Sequence, residues 1–109
     1  MPGDDKPDHA TVIRVAHFQP LPGKHDELVT RMMPTVETLR SVEGCFGVRV
    51  CDVKETPGVV AAISRWADQA TLDGVVNAGT FNNNILSDLL TGPPTVEHLI
   101  PFAGGPGED

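Results

Sequence analysis

The sequence predicts a single α+β domain in which helices cover one face of an antiparallel sheet. Short runs rich in β-branched residues, each bounded by turn signals, occur four times and are typical of strands. Apolar residues recur at helical spacing after the first run and again after the third. The length of 109 residues suits one domain and leaves no room for a second core.

The first strand is predicted over residues 11–18, before the turn signals of Pro20 and Gly23. Its side chains alternate between two faces, neither of which is plainly polar, so we expect both faces to be covered. One face should point at the helices and the other should meet a second sheet. The first holds Ile13, Val15 and His17, and the second holds Val12, Arg14, Ala16 and Phe18.

An amphipathic helix should follow from about Lys24, because apolar residues recur there at helical spacing. Pro34 lies inside this segment and lacks a backbone donor, so we expect a bend about one turn earlier. Gly44 suits the left-handed conformation that closes a helix. The apolar positions are Leu28, Met32, Val36, Leu39 and Val42.

The second half of the chain predicts a hairpin, further helix and a last strand. Strands over 45–53 and 59–66 are joined through the turn pair Pro57-Gly58. Asp68 suits the cap of a helix, further helical turns cover 81–90, and the last strand covers 95–102. The resulting β-α-β-β-α-β order is that of ferredoxin-like folds. A sheet face left bare in a monomer favours a two-fold dimer.

The charge excludes some partners. With 15 acidic and 8 basic residues, the formal charge of −7 would repel phosphate groups, so we expect no nucleic-acid partner. No apolar stretch approaches the ~20 residues that span a bilayer, and residues 1–5 do not resemble a signal peptide, so we expect no membrane partner and a cytoplasmic location. Residues 1–10 and 103–109 lack an apolar period and are predicted to be flexible tails around a domain of 11–102.

Four stretches carry a resemblance to a known family: Pro22-Gly23-Lys24-His25-Asp26-Glu27-Leu28, Glu43-Gly44-Cys45, Ser64-Arg65-Trp66 and Leu90-Thr91-Gly92-Pro93-Pro94. In order and spacing the set resembles antibiotic biosynthesis monooxygenase domains of the dimeric α+β barrel superfamily. The resemblance implies a homodimer whose two sheets form a barrel, with a ligand cavity in each subunit. It also implies an aromatic small-molecule ligand of the quinol or anthrone type, oxidised without metal or flavin.

No cofactor motif appears in the sequence. There is no glycine-rich nucleotide loop, no CxxC and no HxxxH or HxxE spacing. The four histidines show no ligand pair at motif spacing. We therefore expect neither a cofactor nor a metal.

Four residues are candidates for the site. Trp66 occupies the Ser-Arg-Trp position whose tryptophan lines the cavity in relatives, with core filling as the alternative. His17, on the face expected to meet the helices, would be the catalytic base for a phenolic proton, and a strand histidine bonded to backbone is the alternative. Phe81 would form a second wall. An amide such as Asn83 could hold a ligand carbonyl, and exposure to solvent is its alternative.

The sequence departs from its relatives in the second helical region. Members resembling quinol monooxygenases often carry histidines where Val75 and Thr80 fall, and neither residue can serve as a base or a haem ligand. Of the Asn, Trp and His set of haem-degrading relatives only Trp66 remains, which disfavours haem degradation. The main hypothesis is a cofactor-independent monooxygenase acting on a quinol- or anthrone-type aromatic. The alternatives are a non-catalytic dimeric binding or scaffold protein of the same fold, or an isomerase or cyclase.

Overall fold

A computed structural model describes residues 9–81 and 83–103, with residues 83 and 84 described by their backbone. The predicted β-α-β-β-α-β order is confirmed, with a 3₁₀ helix inserted before the last strand. The elements are β1 (Val12–Phe18), α1 (His25–Arg40), β2 (Cys45–Asp52), β3 (Val60–Trp66), α2 (Gln69–Asn77), the 3₁₀ helix (Asn83–Leu89) and β4 (Thr95–Leu99).

The strands form one antiparallel sheet in the order β2-β3-β1-β4. Residues directly opposite each other in antiparallel strands share a face of the sheet. Arg14 of β1 faces Ser64 of β3 on one side and His98 of β4 on the other, and Ser64 in turn faces Val48 of β2. A row of four side chains therefore crosses the helix-covered face.

The helices cover the face of β1 that we expected to meet a second sheet. Our prediction for the two faces of β1 is therefore wrong. Ala16 and Phe18 are buried against Leu28 and Met32 of α1, and Val12 packs with residues of α2. Val12 lies directly opposite Trp66, so their side chains share one face of the sheet. Because Trp66 is fully buried, this is the face that the helices cover. Ile13, Val15 and His17 consequently point away from the helices.

The opposite face of the sheet, which we call the open face, is uncovered in the described chain. Ile13, Val15 and Ile63 lie near its centre and are only half-buried. Arg65 lies across it, with Nη2 donating to the carbonyl of Phe46 at 2.9 Å. Gly47 leaves room for this arrangement, since a Cβ there would come within 2.8 Å of the same nitrogen.

Local signals set the ends of both α-helices. α1 runs as one helix through Pro34 and ends at Arg40, so Gly44 does not close it. Gly44 has φ +93° in the turn into β2, and a Cβ there would lie 2.9 Å from Cγ2 of Thr71. The predicted cap of α2 is confirmed, because the carboxylate of Asp68 accepts from the backbone N–H of Thr71 at 2.8 Å.

His25 ties the start of α1 to the end of β2. Its Nδ1 lies 2.8 Å from the carboxylate of Asp26, and its Nε2 lies 2.6 Å from that of Asp52. The hydrogen bond with Asp26, followed by that with Asp52, raises the pKa of His25. This linkage stabilises the protonated imidazole on the protein surface.

We expect an NMR titration to place the pKa of His25 above its ordinary value of 6.5. A folded-state pKa above the unfolded one means that the stabilisation is complete at low pH and is lost as pH rises through the folded value. Asp52→Asn alone should lower the pKa of His25, and Asp26→Asn alone should lower it by more. Glu55→Gln in the exposed hairpin turn is the control and should leave it unchanged. A wild-type pKa at or below 6.5 would contradict the linkage.

A candidate ligand cavity between helices and sheet

A cavity of about 50 Å³ lies between α1, the sheet and the segment 80–86. Its walls are mainly apolar, with contributions from Phe18, Met32 and Leu86. Ile85, which is 48% exposed, also lines it. Among the described residues, the polar side chains that line it are Arg14, Thr35, Ser64 and Thr80.

Arg14 is the charged group of this cavity. Its side chain projects from the central strand into the helix-covered layer and is only 7% exposed. The guanidinium carbon stacks over the ring of Phe81 at 4.0 Å from the centroid, in cation–π contact. Burial lowers the pKa of Arg14, yet an arginine stays protonated at neutral pH. Within residues 9–81 and 83–103, no acceptor forms a hydrogen bond with this guanidinium.

Ser64 lies beside Arg14 on the cavity floor and is 3% exposed. Its Oγ accepts a hydrogen bond of 2.8 Å from the indole Nε1–H of Trp66. Because a hydroxyl has one proton and the indole offers only a donor, this bond leaves the Ser64 proton available to the cavity. The floor therefore presents two neighbouring donors.

The 3₁₀ helix forms one wall and is held to α1 by Arg31. Nη1 of Arg31 donates to the carbonyl of Ile85 at 3.0 Å and to the carboxylate of Asp88 at 2.5 Å. Nη2 donates to Glu27 at 2.9 Å, which fixes the direction of the guanidinium. Arg31 thus links the 3₁₀ helix, through Asp88 and Ile85, to α1.

The structure places the four predicted site residues differently. Phe81 lines the cavity, and its role as a wall of a ligand site stays a prediction. Trp66 is fully buried and lies behind the wall, with its ring 6.2 Å from that of Phe81 at an interplanar angle of 69°. His17 points to the open face, so the expectation that it faces the cavity is wrong. Asn83 begins the 3₁₀ helix, but its side chain lies outside the described part of the chain.

The sequence interpretation missed Arg14, which it placed on the face expected to meet a second sheet and did not count among the site residues. The signal that could have indicated its burial is the apolar character of its face, since Val12, Ala16 and Phe18 share that face and all are buried. Of the positions where relatives often carry histidines, Thr80 lines the cavity and Val75 packs in the core. His98, rather than His17, is the histidine opposite Arg14, and it is exposed on β4.

Residues 9–81 and 83–103 contain no group of three or more His, Cys, Asp or Glu side chains that could hold a metal ion. In those same ranges no helix has the length and apolar character to cross a membrane.

Comparison with known proteins agrees with this architecture. The model of the family described as antibiotic biosynthesis monooxygenase matches residues 11–83. No curated protein matches the sequence. Rv0793 from Mycobacterium tuberculosis is 22% identical with a TM-score of 0.74, over 85% of this chain and 96% of that one.

Two more solved structures are similar. A conserved protein from Methanosarcina mazei Go1 is 22% identical with a TM-score of 0.76, over 85% of this chain and 94% of its own. A structure named antibiotic biosynthesis monooxygenase is 19% identical with a TM-score of 0.72, over 84% of this chain and 99% of its own. At these identities the structural matches establish the fold.

Proposed function

The chain belongs to the antibiotic biosynthesis monooxygenase family, and from that premise we propose that it oxidises a small, flat aromatic molecule in the helix-side cavity with molecular oxygen. The proposed substrate is a quinol or anthrone. The observation that carries the proposal is the cavity itself, in which an apolar wall containing Phe81 stands over the donors of Arg14 and Ser64. Such a site binds an aromatic ring and stabilises negative charge on its oxygen.

The proposed chemistry needs no resident cofactor, because an electron-rich aromatic can deliver an electron to oxygen once it is deprotonated. For an anthrone, the ring CH₂ becomes C=O with one atom of O₂, and the other atom leaves as water with the two hydrogens. The substrate supplies all four electrons, so no external reductant is required. The protein's part is to bind the ring, exclude water and hold the charged form.

A ring ligand needs more room than the cavity now offers. A volume of about 50 Å³ accommodates a few water molecules, whereas ligand pockets commonly measure about 300–1,000 Å³. Phe81 is only half-buried and occupies the space above Arg14. A ligand ring that displaces Phe81 would keep an aromatic face against the cation, so the exchange would conserve the cation–π contact.

Oxygen consumption tests the proposal directly. Purified protein treated with a chelator should take up oxygen with anthrones or hydroquinones, and ¹⁸O₂ should label the product with one atom. Heat-denatured protein is the control for autoxidation. Uptake no faster than in this control across both compound classes would count against a monooxygenase.

The second candidate function is a dimeric binding or scaffold protein without catalysis. The small cavity and the residues Val75 and Thr80, where relatives often have histidines, favour it. Ring binding without oxygen uptake would support this candidate. Conversion of a bound substrate under anaerobic conditions would instead support an isomerase or cyclase.

We also propose that two copies associate through the open face. Ile13, Val15 and Ile63 leave an apolar centre there, while Arg65 and His17 supply a polar surround. β4 is exposed along its whole length, and the chain that follows it carries Phe102, which is 98% exposed. A second sheet would cover this surface and close a barrel.

A further inference from the structure

Arg14 is a buried cation without an anionic partner in the described chain. Its side chain is 7% exposed, and its π contact with Phe81 leaves the N–H groups of the guanidinium unbonded by any acceptor in residues 9–81 and 83–103. Buried charges in proteins are normally paired, because an unpaired charge forfeits its hydration without compensation. The guanidinium of Arg14 lines the cavity, so an anionic group of a ligand could supply the missing partner.

Ser64 supplies the second donor. The hydrogen bond from Trp66 occupies the Ser64 oxygen as an acceptor, so the hydroxyl proton points elsewhere. Since Arg14 and Ser64 are directly opposite in the β1–β3 ladder, their Cβ atoms lie about 5 Å apart. One oxygen atom between them could accept from both.

The described side chains that line the cavity offer no base to the ligand, since they include no histidine, carboxylate, lysine, cysteine or tyrosine. The titratable group nearest to Arg14 along the sheet is His98 on β4. The described lining side chains other than Arg14, from β1, α1, β2, β3 and residues 80, 81, 85 and 86, are apolar or carry a hydroxyl. Deprotonation must therefore be driven by stabilisation of the product anion.

The geometry points to an anion subsite on the cavity floor, where Arg14 and Ser64 hold the ionised oxygen of a phenol or enol. The inference rests on the proposed function, since it assigns the form in which the ligand of that cavity binds. The O–H bond of the ligand breaks, its electron pair stays on the oxygen, and the proton passes to solvent. A single cation suits a monoanion better than a doubly charged phosphate group.

The test uses 4-nitrophenol, whose ionised form has a distinct absorption band, and its methyl ether 4-nitroanisole, which cannot ionise. Equilibrium dialysis above and below the pKa of the free phenol gives the affinity of each form. An opposite charge at this range favours the ionised form by about one to three pKa units. The wild-type protein should therefore bind the phenolate about 10- to 1,000-fold more tightly than the phenol.

Variants separate the charge of Arg14 from its bulk. Arg14→Gln should abolish the preference for the phenolate. Its affinity for 4-nitroanisole should fall by no more than about tenfold, because the neutral ether loses only the cation–π contact. Arg14→Lys keeps a cation without the planar fork and should retain part of the preference. His98→Gln is the matched control and should leave the preference unchanged.

Each result has a defined meaning. Equal affinity of the wild type for phenol and phenolate would overturn the anion subsite, as would a preference that survives in Arg14→Gln. Selective phenolate binding without oxygen uptake from any substrate would uphold the subsite while refuting the monooxygenase. Failure to bind either nitrophenyl compound would refute both the subsite and a ring-binding cavity.

Discussion

Replacing Trp66 by alanine should lower the free energy of unfolding by about 3–5 kcal/mol. The indole is fully buried among Val12, Leu39, Leu72 and neighbouring residues, so truncation leaves a void in the core. Equilibrium urea unfolding followed by far-ultraviolet circular dichroism measures the loss. Circular dichroism is needed because Trp66 is the only tryptophan and its fluorescence disappears with it.

A conservative variant of Trp66 and a control at Val76 show which part of the indole stabilises the fold. Trp66→Phe keeps most of the ring volume but removes the donor to Ser64, and it should cost about 1–3 kcal/mol. Val76→Ala changes an apolar side chain that is 46% exposed on α2 and should shift stability by about 0.5 kcal/mol or less. If Trp66→Ala unfolds at the wild-type urea concentration, the indole is not a core residue.

Replacing Ile63 by arginine should convert the proposed dimer into a monomer. Ile63 lies on the open face opposite Val15 and Arg49, so the new charge would enter the interface beside an existing cation. A two-fold axis places two such charges in one interface, and an unpaired buried charge costs several kcal/mol. The dissociation constant should rise by about a thousandfold or more. Light scattering at micromolar concentration measures the mass.

Val76→Arg is the control for this substitution. It adds the same charge to an exposed apolar position on α2, away from the open face, and should leave the mass at that of two chains. A wild-type protein that is a monomer at micromolar concentration would refute the interface itself. An Ile63→Arg dimer would place the interface on another surface.

Features with a local cause could be predicted from the sequence. The cap at Asp68 follows from a carboxylate that accepts a hydrogen bond from one of the first free N–H groups of α2. The order of the elements follows from hydrophobic periodicity and turn residues. The end of α1 could not be predicted in this way, because Gly44 fits both a helix end and a turn. The structure shows that its positive φ serves the turn into β2, where Thr71 leaves no room for a Cβ.

The two faces of β1 could not be assigned in the same way. Each face carries apolar residues and one polar or charged group, His17 on one and Arg14 on the other, so alternation alone does not distinguish them. The choice depends on the long-range pairing of Val12 with Trp66 and on which side α1 covers. The cavity depends further on side chains from three strands, α1, the 3₁₀ helix and the loop at Phe81, and their joint packing has no sequence period.

The buried charge of Arg14 also offers a way to find the ligand before its reaction is known. A protein that holds an unsatisfied cation is less stable empty than occupied, so any compound that supplies the missing negative oxygen shifts its melting temperature upward. Ligand at 100 times its dissociation constant adds about 2.7 kcal/mol to the folded state. Thermal screening of acidic aromatic compounds can therefore rank candidates by affinity alone, with no assay of turnover.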